Sequence, residues 1–331
     1  MKPPSALVSA LFVALSVAPE NNAAAYVRSR SGESCSAVYW KQSCVFVQPD
    51  SRFVADLPAQ DVERIIQKSL NNWMSKTTGS FVKLHFLPAD GVKETTYKDH
   101  LSVVVFRSGS RFCRPATQSG DQGGEFVCYD SSAAAVTTVS YVNKKGDPSD
   151  GRIVDADIEM NAVNNQFVEI GKPLPPMESR NQTDLENTLT HELGHLLGLD
   201  HTCRLGTDSS CLTDDKGQPR LLCDTIDKLR STNPAYQTIY ETAMFAIAPA
   251  KDVEKRTPKA DDIAGVNAAS PLDKDPKICE QPGTGESSGC SCQSANRSPS
   301  AVASLCVALL LLGVLRRKRK GFAMKKETGS E

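Results

Sequence analysis

The chain has 331 residues, and its 38 Lys and Arg against 39 Asp and Glu give a formal net charge of -1. This near-neutral balance excludes the general basic surface that nucleic-acid-binding proteins use. Hydrophobic residues make up 40% and charged residues 23%, which is ordinary globular usage and excludes a chain disordered throughout. Any special chemistry must therefore be local.

The N-terminus has the three parts of a signal peptide. Lys2 supplies a positive charge, residues 6–18 are mostly apolar, and Ala23-Ala24-Ala25 is a small-residue cleavage site. We therefore expect a signal peptide over residues 1–25 and a mature chain that begins at Tyr26. Eleven cysteines are many for a reducing compartment, so the sequence predicts an exported protein with disulfide bonds.

The first half of the body alternates strand and helix patterns. Two short apolar segments flank Cys44 and predict strands, and Cys35 with Cys44 could close a hairpin between them. Helical spacing of apolar residues follows, then two strand patterns, of which the second is apolar enough to be buried on both faces. These segments are residues 37–40, 45–47, 57–74, 81–86 and 101–106.

Cys113 and Cys128 bracket a Gly-rich loop at the spacing of a local disulfide, and residues 153–160 predict a further strand. Strands interleaved with long helices indicate an α+β (α/β-like) layered fold over residues 26–273, with no basis for the strand order.

The segment after Thr183 carries the chemistry. Thr183 and Glu186 predict a capping box that starts a helix, and the helix runs into His191-Glu192-Leu-Gly-His195-Leu-Leu-Gly198-Leu-Asp-His201. His191 and His195 are four residues apart and share one helix face. Gly198 can adopt a positive φ, so the chain can turn there and bring His201 back toward them. Three neutral imidazoles leave a fourth tetrahedral position open, which is the arrangement of a catalytic zinc site.

Glu192 adjoins the first of these histidines and is the candidate general base. A carboxylate there can take a proton from the attacking water and pass it to the leaving amine. The remaining histidines, His85 and His100, have no partners at ligand spacing, so we expect structural or surface roles for them.

The eleven residues HELGHLLGLDH match HExxHxxGxxH, the extended zinc motif of the metzincin peptidases. The resemblance implies a Met-turn beneath the metal, and Glu241-Thr-Ala-Met244-Phe245 fits it, which places Met244 there. It also implies that residues 245–250 line the S1′ pocket. Thr202 after the third histidine and the segment Asp261-Asp262-Ile-Ala-Gly265 look like the matrixin subfamily.

A matrixin-like metzincin implies a zinc endopeptidase that acts on protein or peptide substrates. Its fold would be a twisted, mixed sheet with a zinc-binding helix and a smaller, irregular C-terminal subdomain, and we expect a monomer. Structural Ca²⁺ is common in matrixins, but the aspartates of this sequence form no recognisable calcium-binding loop.

The sequence also departs from typical matrixins. It has no PRCGVPD-like cysteine switch, and its long stretch between His201 and Met244 holds Cys203, Cys211 and Cys223. Two of these three are expected to pair, and the third could reach Cys279, but spacing alone leaves the connectivity open. Pappalysins also place Thr after the third histidine and are the rival subfamily. A catalytically silent surface adhesin on a metzincin scaffold is the alternative from another class, although neither Glu192 nor a ligand is lost.

The C-terminal part reads as a sorting segment. Residues 274–300 are rich in Pro, Gly, Ser and Gln, which predicts a spacer, and they contain the Cys motif of residues 289–292. Residues 301–320 combine an apolar run, 301–315, with a basic stop, and residues 321–331 form a tail. The unit resembles the C-terminal sorting signals of myxobacterial surface proteins, which implies cleavage near the cysteines and surface anchoring. A plain membrane anchor is the alternative.

Overall fold

A twisted six-stranded sheet lies at the centre of the computed structural model, which describes residues 26–32, 34–53, 56–96, 99–116, 126–176, 180–206 and 211–282. The strands are β1 Val27–Arg28, β2 Tyr39–Trp40, β3 Cys44–Pro49, β4 Lys83–Phe86, β5 Leu101–Arg107, β6 Cys113–Pro115, β7 Phe126–Cys128, β8 Ala135–Tyr141, β9 Arg152–Asn161, β10 Asn165–Val168, β11 Asn181–Asp184 and β12 Leu199–Asp200. The helices are α1 Ala59–Met74, α2 Leu185–Leu196, α3 Cys223–Leu229, α4 Pro234–Tyr240 and α5 Ala260–Ala269, and short 3-10 turns occupy Glu254–Arg256 and Leu272–Lys274. The proposed signal peptide, Cys motif, apolar run and tail lie outside the described residues.

The sheet is mostly parallel. Its order is β2-β9-β5-β3-β4 with parallel pairing throughout, and β8 pairs antiparallel with β9. Parallel neighbours need a crossover, and α1 provides the one between β3 and β4. Every residue of β5 is buried, with Val104 in one hydrophobic cluster and Val103 in another. The prediction of a strand covered on both faces is confirmed.

Two tryptophans fasten the second long helix to the rest of the core. The apolar face of α1 is buried, and at its end the indole Nε1 of Trp73 donates to the carbonyl of Thr190 on α2 at 2.9 Å. On the sheet side, Nε1 of Trp40 donates to the carbonyl of Leu196 at 2.8 Å. Both indoles are buried, and buried indole N–H groups need such partners. Helix α2 is therefore held at two separate points along its length.

The predicted capping box is wrong by one residue. Strand β11 pairs with β10 as far as Asp184, so helix α2 begins only at Leu185 and Thr183 lies one residue before the N-cap position. Asp184 caps α2 instead, and its Oδ1 accepts from the N–H of Asn187 at 2.8 Å. Glu186 does not reach back but accepts from Lys68 Nζ at 2.8 Å. The strand pairing overrides the local capping signal.

Four disulfide bonds join the described residues: Cys35–Cys211, Cys44–Cys279, Cys113–Cys128 and Cys203–Cys223. The local Cys113–Cys128 bond and a pair within the stretch after His201 are confirmed. The Cys35–Cys44 pairing is wrong because β2 pairs with β9 and forms no hairpin with β3. The expectation that the third cysteine of that stretch reaches Cys279 is also wrong, because Cys211 bonds Cys35.

The part after His201 is smaller and irregular, as expected for this fold. Helices α3 and α4 contact each other there, and the side chains of Cys203, Cys223, Ile226 and Phe245 form their own buried cluster. Beyond α5 the chain still touches the sheet, because the N–H of Ser43 donates to the carbonyl of Ile278 at 2.6 Å. No helix within the described ranges combines the length and the apolar character needed to cross a membrane.

Candidate metal centre

Three imidazoles converge at the end of helix α2. His191 and His195 project from the helix, and Gly198 then turns the chain with a φ of +96°, so that His201 follows β12 back toward them. Their three Nε2 atoms form a triangle with every side 3.2 Å. Within the described ranges, this is the one group of three or more His, Cys, Asp or Glu residues that could hold a metal ion.

The donor set fits a divalent zinc ion. Nδ1 of His191 lies 2.6 Å from the carbonyl of Ala243, and Nδ1 of His195 lies 2.8 Å from that of Leu199. A carbonyl only accepts, so each Nδ1 carries the proton and each Nε2 is an acceptor. Acceptors that face each other repel unless a cation lies between them. Zn–N bonds of about 2.0 to 2.1 Å separate the nitrogens of a tetrahedral site by about 3.3 Å, close to the observed triangle.

The surroundings keep two of these imidazoles neutral. Burial lowers the pKa of His191 well below its usual value, and the neighbouring imidazole of His195 lowers it further. Burial and both other histidines have the same effect on the pKa of His201, to which Arg220 and Lys255 add. Because a metal competes with protons for imidazole nitrogen, a low pKa favours metal binding at neutral pH.

Glu192 is buried beside the triad and is bonded to the sheet. It is 4% exposed, and burial raises the pKa of its carboxyl. Thr137, on β8, donates from Oγ1 to Glu192 Oε2 at 2.6 Å. The hydroxyl and the main chain of Thr137 both act against this rise in the pKa of the Glu192 carboxyl. Thr137 was not among the predicted site residues, because nothing in the sequence connects a strand threonine with a helix 55 residues later.

Met244 lies directly under the metal-binding helix. It is 1% exposed, and a Cβ built at Gly194 would overlap its sulfur. The N–H groups of Ala243 and Met244 donate to the carboxylate of Asp262 at 2.8 and 3.2 Å. Because the carbonyl of Ala243 accepts from His191, Asp262 supports the first histidine through this turn. From the sequence, Asp262 was predicted only as part of the segment that starts the last helix, and its contact with the turn at Met244 was not predicted.

We expect Gly194→Ala to destabilise the fold, because the added methyl group overlaps Met244 and lies 3.1 Å from Trp73 Cζ2. Overpacking of this kind costs about 1–3 kcal/mol, which for a domain of this size lowers the melting temperature by roughly 5 °C. Thermal denaturation measures the effect. The matched control is Gly109→Ala, where the nearest atom is 3.9 Å away, and an equal loss there would contradict the packing argument.

The other residues singled out from the sequence lie apart from the triad. His85 stacks on Phe46 with ring centroids 5.2 Å apart, and His100 lies 3.9 Å from Glu280. Of the predicted S1′ segment, Phe245 is fully buried in the cluster after His201, whereas Ala246 and Ile247 are half-buried. That this segment lines a substrate pocket stays a prediction.

The sheet, the helix and the convergent histidines define a zinc metallopeptidase of the metzincin type. Residues 46–207 match the model of the matrixin family, and this segment runs from within β3 to beyond β12 and includes α1, α2 and the three histidines of the triad. This part of the chain is therefore similar to the matrixins. No curated protein matches the chain.

Two solved structures are similar to the chain at low identity. One is the GM1-bound form of the ECX AB5 holotoxin, 12% identical over 76% of this chain and 90% of that one, with a TM-score of 0.32. The other is myroilysin, 13% identical over 71% of this chain and 83% of that one, with a TM-score of 0.31. At these values neither similarity supports an argument about function.

Proposed function

We propose that the protein is a zinc endopeptidase in which His191, His195 and His201 hold the ion and Glu192 is the general base. The observation that carries the proposal is the triangle of three Nε2 atoms beside a buried carboxylate on the same helix. The family match favours a matrixin over a pappalysin, and the presence of Glu192 disfavours a silent adhesin.

Zinc supplies Lewis-acid chemistry here, which acidifies water and polarises the substrate carbonyl. The residues of the chain supply the proton transfers. The Glu192 carboxylate takes a proton from the attacking water as the water oxygen forms a bond to the substrate carbonyl carbon, and its Oε2 stays bonded to Thr137. The same carboxyl then gives the proton to the leaving amine, so one C–N bond is broken and the base is restored. A raised carboxyl pKa suits this double role, because the group must both accept and release the proton.

We expect Thr137→Val to lower kcat about tenfold while zinc affinity stays unchanged. The variant removes the hydroxyl that orients Glu192 but no metal ligand, and a net hydrogen bond to a charged group contributes about 1.5–3 kcal/mol. Thr137→Ser, which keeps the hydroxyl, should recover most of the rate. The control is Thr138→Val on the opposite side of the same strand. The measurement is kcat from steady-state kinetics on a quenched fluorescent peptide. A Thr137→Val enzyme with parental kcat would contradict the role of Thr137 in orienting Glu192.

The endopeptidase proposal is tested with peptides blocked at both termini. The purified full chain, loaded with zinc, should cut such peptides internally, and removal of zinc by a chelator should stop the reaction until zinc is added back. Cleavage only of peptides with a free terminus would reject the endopeptidase. Full zinc occupancy with no cleavage of any unfolded protein would favour the silent adhesin.

We also propose export and attachment to the cell envelope, with the protein acting as a monomer. The N-terminal segment 1–25 and the C-terminal segment 301–320 support this on sequence grounds. Four disulfide bonds suit an oxidising compartment. Protease treatment of intact cells should remove the protein, and its survival until the cells are lysed would reject surface exposure.

A further inference from the structure

The third histidine is held differently from the other two. His191 and His195 lie on helix α2, and the Nδ1 atom of each bonds a main-chain carbonyl. His201 lies beyond the helix, and among the described residues its ring has hydrogen-bond-distance contacts only with the other two imidazoles. The direction of this ring therefore depends on the main chain around it.

Arg220 holds that main chain. Its Nη2 donates to the carbonyl of His201 at 3.0 Å and to that of Cys203 at 3.1 Å, and its Nη1 donates to Asp200 Oδ2 at 2.9 Å. The other oxygen of Asp200 accepts from the N–H of His201 at 2.7 Å. One guanidinium and one carboxylate thus hold both main-chain polar groups of His201. The Arg220 side chain is only 4% exposed, so water competes little for these bonds.

Arg220 is itself fixed by residues 204–222, which we call the insertion. Its N–H donates to the carbonyl of Leu212 at 2.9 Å, and its carbonyl accepts from Arg204 Nε at 3.2 Å. The Cys203–Cys223 disulfide closes the insertion at its base. The position of Arg220 is therefore set by contacts other than those to His201. A residue that positions His201 must itself be fixed in this way.

The insertion is also fastened to the N-terminal segment. Cys211 is bonded to Cys35, and Asp215 pairs with Arg28 at 2.7 Å. Strand β1 pairs with β12, which immediately precedes His201. The turn that carries this histidine is thus enclosed by the N-terminal strand and by the insertion.

We propose that Arg220 is a positioning residue for the third metal ligand, so that the insertion sets the affinity of the site for zinc. This inference depends on the proposed function, because it takes His201 to be a ligand. Partners that orient a metal ligand typically contribute 10- to 100-fold in metal affinity. A planar guanidinium can bond a carboxylate and carbonyls together, which a lysine ammonium cannot match.

The test is a zinc titration of the full chain against a chromophoric chelator. Arg220→Met is made in the parent and in a His201→Ala background, and the control, Arg64→Met, removes an exposed, ion-paired guanidinium on α1. We expect Arg220→Met to weaken zinc binding 10- to 100-fold in the parent but less than threefold without His201. Arg64→Met should leave the affinity unchanged, and melting of the zinc-free proteins checks the fold.

Equal losses in the two backgrounds, or no loss in the parent, would overturn the proposal, since Arg220 would then act on the fold in general or not at all. Full recovery by Arg220→Lys would also overturn it, because a point charge would suffice. Should Arg220→Met fail to fold, Asp200→Asn replaces it. We expect this variant to bind zinc about tenfold more weakly, and unchanged zinc affinity would contradict the positioning role of Arg220 and Asp200. A parent chain that binds no zinc would reject the proposed function itself.

Discussion

Glu192→Gln should lower the rate of peptide hydrolysis by about 10³-fold or more while the protein keeps its zinc. The amide has almost the shape of the carboxylate but cannot take a proton from water, and general acid–base catalysis contributes about 10²–10⁴-fold. A 10³-fold loss corresponds to about 4 kcal/mol of transition-state stabilisation. Within the part of the chain that the structure describes, the Glu192 carboxylate bonds Thr137 and no imidazole nitrogen, so the triad should stay assembled.

The measurement is kcat on a blocked peptide, with zinc content determined on the same samples. Glu254→Gln is the matched control, since Glu254 is an exposed glutamate of the 3-10 turn Glu254–Arg256. A zinc-loaded Glu192→Gln protein that cleaves at the parental rate would remove Glu192 from the mechanism. Loss of zinc together with activity would show instead that the carboxylate supports the metal.

His195→Ala should abolish zinc binding at micromolar metal and, with it, the stabilisation that zinc provides. A ligand present at a thousandfold excess over its Kd stabilises a fold by about 4 kcal/mol, which raises the melting temperature by roughly 10 °C for a domain of this size. We expect that increase in the parent on addition of zinc and none in the variant. The variant keeps only two of the three Nε2 atoms that lie 3.2 Å apart in the parent.

Thermal denaturation with and without zinc makes the comparison. His85→Ala is the control, because His85 stacks on Phe46 away from the triad and its loss should leave the zinc-dependent increase intact. If zinc stabilises His195→Ala as much as the parent, the ion binds elsewhere, and the imidazole triangle is not its site.

Much of the fold could be predicted because it follows local periodicity. The helical spacing of the segment that became α1 and the continuous apolar run that became β5 each show on the sequence alone which faces are buried. The capping of α2 could not be predicted in this way. Thr183 and Asp184 are both good N-caps, and the choice between them was made by the pairing of β11 with β10, a contact between segments distant in the chain.

In the candidate site, too, the local arrangement could be predicted from the sequence and the contacts between distant segments could not. Glu192 and the three histidines stand within eleven consecutive residues, so helix geometry and one glycine turn suffice to bring them together. The supporting contacts join segments far apart: Thr137 to Glu192, Asp262 to the turn at Met244, and Arg220 to the chain at His201. No spacing rule connects such residues, since they meet only when separate elements pack.

The sequence by itself therefore determined the class of the protein, its layered fold and the metal-binding motif, because each is encoded over a few helical turns or a single strand. Only the tertiary structure decided the disulfide partners, the residue that caps α2 and the groups that contact Glu192 and the main chain of His201. The physical reason is distance along the chain. Cys44 and Cys279 are 235 residues apart, and a bond of that span is set by the packing of the sheet against the residues after the last helix.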